Sequence, residues 1–172
     1  MKKLLVVIDM QNDFIDGALG TKEAVAIVPK VKKKIEEYYT NGDLVVFTRD
    51  THYSDYLETQ EGRNLPVEHC IVNTQGWKIS NELDTSKSPM IINKASFGYN
   101  SWNTFYFGNI ESIELVGLCT DICVISNALI IKAHAPEIKM IVDASCCAGV
   151  TPESHKNALE AMKMCQINVI GE

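Results

Sequence analysis

The sequence lacks the features that mark disordered, fibrous, exported or membrane-spanning proteins. Glycine and proline number only 10 and 5 among 172 residues, too few for a fibrous or disordered chain. Long hydrophobic runs are also missing, because Asp9 interrupts the apolar stretch LLVVI near the start. A run this short neither acts as an export signal nor spans a membrane. We therefore expect a folded cytoplasmic protein that does not associate with membranes.

Positive charge is scarce as well. Sixteen Lys and Arg against 22 Asp and Glu give a formal net charge of -6. The basic cluster at 32–34 falls on the predicted solvent face of a helix, so nucleic acid is not an expected partner. A chain of this length buries roughly two-thirds of its unfolded surface. We expect a single domain, residues 1–172, with one active site.

Six cysteines are present, but no disulfide framework is expected. A chain with a sizeable core needs no covalent crosslinks, and the adjacent pair Cys146–Cys147 suits no regular pattern. The thiols are therefore expected to be free in a reducing compartment. Most should pack as small hydrophobic side chains, and any others are candidates for catalysis.

Short β-branched runs alternate with helical patterns along the chain. Apolar residues follow one another within each run and do not alternate with polar ones, as in strands that are covered on both faces. This order predicts an α/β fold in which a parallel sheet carries helices on both sides. The six runs are LLVVID (4–9), DLVVFT (43–48), MIINK (90–94), IELVG (113–117), IKMIVDA (138–144) and INVIG (167–171).

Three segments are predicted to be helical. Residues 24–38 carry an apolar stripe at helical spacing. Thr151 and Pro152 open the last helix, whose inner side should include Cys165. Residues 120–135 are apolar nearly all round and should lie deep against the sheet. The longest irregular stretch, 49–77, is of a length that usually carries function.

Ligands of open parallel sheets bind beyond the carboxyl ends of the strands. The residues predicted to lie there are Asp9, Asp50, Lys94, Asp143 and the segment 117–123. Taken singly, each has a structural explanation: a carboxylate that caps a loop, a solvated lysine or a packed cysteine. Their convergence at one sheet edge favours a catalytic site.

Two cysteines fall within ELVGLCTDICV, residues 114–124. Thr120 is expected to cap the following helix, so that Cys123 lies in the first turn, where unpaired N–H groups stabilise a thiolate. Cys119 precedes the cap. We interpret Cys123 as a nucleophile and Cys119 as the source of a backbone N–H. The alternatives are two packed cysteines or a redox pair, although a redox pair usually has Cys-x-x-Cys spacing.

Five motifs together resemble the isochorismatase-like cysteine hydrolases, a family that includes the nicotinamidases. The resemblance covers nearly the whole chain and implies a three-layer α/β/α, Rossmann-like fold with a six-stranded parallel sheet. It also implies a cis peptide between Leu118 and Cys119, and assembly into a homo-oligomer, which is common in the family. The motifs are VVIDMQNDF (6–14), VVFTRDTH (45–52), LPVEHCIVNTQGW (65–77), INKASF (92–97) and GLCTDICV (117–124).

The resemblance implies a catalytic triad of Asp9, Lys94 and Cys123. Asp9 would take the thiol proton, Lys94 would stabilise negative charge, and the thiolate would attack a carbonyl carbon. The backbone amides of Cys119 and Cys123 would form the oxyanion hole. Loss of an amine or ammonia leaves a thioester, which water then hydrolyses.

The substrate expected from this resemblance is a small amide, nicotinamide first. Family members that process isochorismate lack the cysteine, so its presence indicates cleavage of a C–N bond. Carbamoyl and ureido compounds are alternative substrates, because relatives with the same triad cleave them. A thiol redox protein and a non-catalytic binding protein on the same fold are alternatives from other classes.

A metal site is expected at Asp50, His52 and His69. One carboxylate and two imidazoles suit a divalent transition metal such as zinc. The alternative is that these residues only order the loop. Nicotinamidases carry their metal ligands at matching positions, and the metal holds the pyridine nitrogen, so it positions the substrate. No organic cofactor is expected.

The substrate pocket departs from the nicotinamidase pattern. Nicotinamidases typically have a tryptophan before the proline that precedes the second histidine, whereas this chain has Leu65 and Pro66, with one extra residue before His69. An aromatic wall should then come from Phe14, Tyr53, Phe97 or Tyr99. The expected substrate-binding residues are Phe14, Leu118, Phe97 and Tyr99.

Overall fold

The computed structural model describes residues 1–172 and contains a six-stranded sheet in which every neighbouring pair is parallel. Each predicted run forms a strand, so the predicted fold class is confirmed. The strand order is β3-β2-β1-β4-β5-β6. The strands are β1 (Lys2–Ile8), β2 (Leu44–Asp50), β3 (Ile91–Lys94), β4 (Ile110–Leu118), β5 (Lys139–Ala148) and β6 (Asn168–Ile170).

Five α-helices connect the strands. The apolar stripe predicted for 24–38 forms the buried side of α2, and Thr151 caps α5 through the backbone N–H of Ser154. Short 3-10 turns occur at Tyr56–Glu58 and Trp102–Thr104, and a π-helical turn covers Thr120–Val124. The helices are α1 (Asn12–Ile15), α2 (Lys22–Thr40), α3 (Gln60–Asn64), α4 (Ile125–His134) and α5 (Pro152–Met164).

Two hydrophobic cores cover the two faces of the sheet. On β1, Leu4, Val6 and Ile8 pack into the core that includes α4 and α5. Leu5 and Val7 point the other way, into the core formed with α1 and α2. All five side chains are fully buried, which explains why the run is continuously apolar.

The strand order reverses between the central neighbours β1 and β4, which opens a crevice at their carboxyl ends. Gly117 allows the two strand ends to approach closely. Its φ is +121°, and a Cβ atom there would lie 2.1 Å from the carbonyl oxygen of Ile8. Asp9 follows β1 and Cys119 follows β4, so both flank this crevice.

Three local predictions were wrong. Cys165 is exposed, because α5 ends at Met164 before reaching it. The outer side of α4 is not buried, and Leu129 there is 38% exposed. Asp143 does not lie at a strand end, since β5 continues to Ala148; its carboxylate instead pairs with Lys34.

No helix is long and apolar enough to cross a membrane.

Candidate active site

Asp9, Lys94 and Cys123 meet at the crevice between β1 and β4. The Nζ atom of Lys94 lies 2.6 Å from Asp9 Oδ2 and 3.5 Å from Cys123 Sγ. All three side chains are buried. The structure therefore brings the three predicted triad residues together, although they are far apart in sequence.

Thr48 on β2 orients the carboxylate of Asp9. The Thr48 hydroxyl donates to Asp9 Oδ1 at 2.6 Å and accepts from the Asp9 backbone N–H at 3.2 Å. Asp9 itself has a left-handed backbone conformation with φ 47°, which turns the chain sharply after β1. Thr48 occupies one carboxylate oxygen and leaves Oδ2 for Lys94 and the thiol. Sequence reasoning did not identify Thr48.

The surroundings of Cys123 disfavour the thiolate. Complete burial and the negative charge of Asp9 raise the pKa of the thiol, and Lys94 only partly offsets them. Burial likewise raises the pKa of Asp9 against the opposing effect of Lys94. Desolvation therefore opposes the stabilisation of a thiolate that was expected from the first turn of a helix. The neighbouring carboxylate is a suitable acceptor for the thiol proton.

The turn that carries Cys123 differs from the expected capped helix. Thr120 does not cap it; its hydroxyl instead bonds Nδ1 of His155 at 2.7 Å. The peptide between Leu118 and Cys119 is cis, as the resemblance implied. Val124 N–H donates to the carbonyl of Cys119 at 3.0 Å, which widens the turn into a π-helix, a feature common at functional sites.

Cys119 contributes its backbone to the site. Its amide N–H donates to no protein acceptor, and the residue lines the cavity next to Cys123. Burial and the charge of Asp121 raise the pKa of its thiol to about 12, so this sulfur is not a reactive thiolate. All six cysteines are free.

A cavity of about 640 Å³ opens onto the thiol. Phe14, Phe97 and Leu118 line it, as predicted, and so does Leu65. Tyr99, which was also predicted to bind substrate, does not line the cavity. Its ring packs edge-on against Trp102, with centroids 5.4 Å apart, and belongs to the core on the α4 side.

Asp50, His52 and His69 form a second cluster beside the triad, together with Glu61. Their potential ligand atoms all lie within 4.8 Å of one another. His52 Nε2 is 2.9 Å from Asp50 Oδ2, and His69 Nε2 is 3.7 Å from Glu61 Oε1. The structure thus confirms that the three predicted metal-site residues converge and adds a fourth.

This cluster fits a divalent metal on its own chemistry. His52 Nε2 is buried and lies 2.9 Å from Asp50 Oδ2, but the pair does not have ordinary hydrogen-bond geometry. His69 Nδ1 donates to the carbonyl of Val67 at 2.8 Å, which directs Nε2 into the cluster. Two imidazole nitrogens with carboxylates suit zinc and related ions.

Several supporting residues were not found from sequence. Glu61 lies in the first turn of α3. The only sequence feature that could have indicated it as a metal ligand is its position as a carboxylate in the loop between His52 and His69. Gln11 is fully buried; its side chain accepts from the Asp50 N–H at 2.7 Å and donates to the Asp50 carbonyl at 2.8 Å. Asp13 accepts from the N–H of Cys70 at 2.8 Å, next to His69.

A three-layer α/β/α fold, with a thiol, an ammonium and a carboxylate at its central crevice, defines the class of isochorismatase-like hydrolases. The family model "Isochorismatase domain" matches residues 3–171, and the chain belongs to this family.

Three solved structures are similar over nearly the whole chain. The pyrazinamidase of Pyrococcus horikoshii, in complex with zinc, is 29% identical with a TM-score of 0.87 and 100% coverage of both chains. The nicotinamidase of Bacillus subtilis is 27% identical with a TM-score of 0.80, again covering 100% of both. The N-carbamoylsarcosine amidase of Thermoplasma acidophilum is 28% identical with a TM-score of 0.79, covering 98% of this chain and 95% of that one.

Proposed function

We propose that this chain hydrolyses the C–N bond of a small amide through a cysteine nucleophile, and that the amide is nicotinamide. Amide hydrolysis follows from the family and from the relatives. The proposal concerns the nucleophile and the substrate. The observation that carries it is the position of Lys94 Nζ, within 2.6 Å of Asp9 and 3.5 Å of the Cys123 sulfur.

The first step moves the thiol proton of Cys123 to Asp9. Burial raises the pKa of Asp9, which makes its carboxylate a better acceptor for this proton. Lys94 contacts both groups and compensates whichever of them carries the negative charge. The thiolate then attacks the amide carbon, and the C=O electron pair moves onto oxygen.

The tetrahedral oxyanion would be bound by the amides of Cys119 and Cys123. The unpaired N–H of Cys119 at the cavity wall supports this role. Asp9 returns its proton to the departing nitrogen, the C–N bond breaks, and ammonia leaves a thioester on Cys123. Asp9, ionised again, takes a proton from water, and the hydroxide releases the carboxylic acid and regenerates the thiol.

Asp50, His52, His69 and Glu61 would hold a divalent metal beside the cavity. When bound, such an ion supplies a Lewis-acidic point that can hold the ring nitrogen of nicotinamide and orient its amide toward Cys123. The convergence of the four potential ligand atoms within 4.8 Å, with His52 Nε2 buried among them, supports this assignment. The Pyrococcus horikoshii relative was crystallised with zinc, which makes zinc the first ion to test.

A carbamoyl compound is the second candidate substrate. Leu65, rather than an aromatic residue, lines the cavity, so one wall cannot stack on a pyridine ring. The similarity to an N-carbamoylsarcosine amidase supports the same alternative. A carbamoyl substrate would form a thiocarbamate on Cys123 in place of the thioester, and water would release a carbamic acid, with the same residues in the same roles.

An ammonia-release screen tests the proposal. Purified protein is incubated with nicotinamide, pyrazinamide, N-carbamoyl amino acids and ureido compounds, with and without added zinc, and Cys123→Ser serves as the control. We expect release from nicotinamide by the wild type and none by the variant. Absence of ammonia from every compound, combined with a fall in free thiol count on oxidation, would instead favour a thiol redox protein.

A further inference from the structure

Asn127 is fully buried on α4, one helical turn after Cys123. Its Oδ1 accepts from the backbone N–H of Tyr99 at 2.9 Å and from the indole N–H of Trp102 at 2.8 Å. Its Nδ2 donates to the carbonyls of Phe97 at 3.1 Å and Cys123 at 2.8 Å. A side-chain amide has two donors and two acceptor sites, so its capacity is completely used.

The four partners determine the orientation of this amide. If oxygen and nitrogen exchanged places, two N–H donors would face the donors of Tyr99 and Trp102, and oxygen would face two carbonyls. The side chain therefore makes three contacts with residues 97–102 and one with the turn that carries Cys123. It connects two separate parts of the chain.

Residues 97–102 begin at the wall of the active-site cavity, which Phe97 lines, and continue into the core on the α4 side. They follow Lys94, and the carbonyl of Ser96, just before them, accepts from Lys94 Nζ at 3.1 Å. Phe97 lines the cavity together with Cys123. Strand β3, which leads into this segment, is only four residues long and pairs with β2 alone at the edge of the sheet. The sheet therefore holds this segment from one side only.

We propose that Asn127 is a positioning residue that sets the distance between the Cys123 thiol and the Lys94 ammonium. It does so by clamping the π-helical turn at Thr120–Val124 to the segment 97–102. It touches no substrate and acts through the backbone of Cys123 and Phe97. The proposal rests on the proposed function where it concerns turnover, but the reactivity of Cys123 can be measured without any substrate.

The test compares Asn127→Asp with Leu159→Ala. The aspartate keeps an acceptor for Tyr99 and Trp102 but places an oxygen against the carbonyls of Phe97 and Cys123. Leu159→Ala weakens the same core from α5 without touching the clamp. We expect Asn127→Asp to lower kcat at least tenfold and the iodoacetamide alkylation rate of Cys123 at least threefold. Leu159→Ala should stay within twofold of wild type on both, at a comparable fall in Tm.

Equal losses of kcat and alkylation rate in the two variants would overturn the proposal, because they would show that Asn127 affects the site only through stability. Wild-type rates in folded Asn127→Asp would overturn it as well. If that variant does not fold, Asn127→Ser replaces it, since serine can bond the Cys123 carbonyl one turn back but is too short to reach residues 97–102. We expect at least fivefold lower kcat there, and a wild-type kcat would refute the clamp. If wild type turns over no amide, the proposed function fails, and the alkylation rates still decide the role of Asn127.

Discussion

The carboxylate of Asp50 contacts Lys94, with Oδ1 3.3 Å from the Nζ atom. Its other oxygen lies 2.9 Å from His52 Nε2. One aspartate therefore joins the triad to the histidine cluster. The Lys94 ammonium is shared among Asp9, Asp50 and the Cys123 sulfur, so its charge lies next to two carboxylates and a thiol.

Replacing Lys94 with methionine should make Cys123 less acidic. Lys94 is the one neighbour that lowers the pKa of this thiol, whereas burial, Asp9 and Asp50 all raise it. Its removal must therefore raise the thiol pKa further and move the pH profile of alkylation to higher pH. We expect kcat to fall by roughly 100-fold or more. Lys132→Met, on the exposed side of α4, is the matched control, and an unchanged alkylation profile in Lys94→Met would remove Lys94 from the triad.

The two cysteines of the crevice should respond differently to alanine. Cys123→Ala removes the nucleophile and should abolish turnover. Cys119→Ala keeps the backbone N–H at the cavity wall and should retain at least a third of the wild-type kcat, because the Cys119 sulfur takes no part in the proposed chemistry. Steady-state kinetics on both variants provides the measurement. Equal and complete loss in both would instead indicate a redox pair.

The strands and the triad could be predicted from the sequence because they depend on local patterns. A continuous apolar run predicts a strand covered on both faces, and the residue after it must lie at the sheet edge. That reasoning places Asp9, Asp50 and Lys94 correctly. It fails for Asp143, because the run does not reveal that β5 continues five residues further, to Ala148.

Side-chain direction and long-range polar contacts could not be predicted in this way. Tyr99 follows a strand end and is aromatic, yet its segment is turned toward the core by Asn127, a residue 28 positions away. Glu61 joins the histidine cluster only because Thr59 starts a short helix in the loop. Nothing in the local sequence around Gln11 indicates that it bonds the backbone of Asp50. These contacts depend on the complete fold.

A buried ion network under α2 should control stability without affecting catalysis. Lys34 lies 2.5 Å from Glu114 and 2.7 Å from Asp143, and it holds the pKa of Asp143 below its ordinary value. Lys34→Met leaves two buried carboxylates without a cation, each held only by hydrogen bonds from Tyr38 or Ser145, so we expect a loss of about 3 kcal/mol at pH 7. Urea unfolding curves for the two proteins measure this difference.

The loss in Lys34→Met should shrink as the pH falls. In wild type the lowered pKa of Asp143 stabilises the fold at pH values above ~4, which is the pKa of an aspartate in the unfolded chain. This stabilisation disappears as the pH falls through the pKa of Asp143 in the folded protein. In the variant, Lys34 no longer opposes the effect of burial on the pKa of Asp143, so this carboxylate protonates at higher pH and its cost decreases in acid. The difference in unfolding free energy should thus be smaller at pH 4.5 than at pH 7. A constant difference would show that Lys34 acts through packing alone.

The histidine cluster gives the sharpest test of substrate. If Asp50, His52 and His69 hold a metal that orients a ring nitrogen, His52→Ala should lower nicotinamide turnover by roughly 100-fold through misplacement of the amide. Alkylation of Cys123 should persist, because the thiol reacts through Asp9 and Lys94. Turnover of a carbamoyl compound, which has no ring nitrogen, should change much less. Elemental analysis of wild type and variant, paired with both assays, provides the measurement.

Glu61→Gln tests whether Glu61 binds the metal together with Asp50, His52 and His69. It keeps the size of the side chain and removes the charge that lies 3.6 Å from His52 Nε2 and 3.7 Å from His69 Nε2. We expect weaker zinc retention in dialysis against a chelator, with nicotinamide turnover restored by excess zinc, whereas His52→Ala should not be rescued. Zinc content and turnover identical to wild type would exclude Glu61 as a ligand. Full nicotinamide turnover by a protein shown to be metal-free would refute the metal site itself, because the substrate would then be held in place without it.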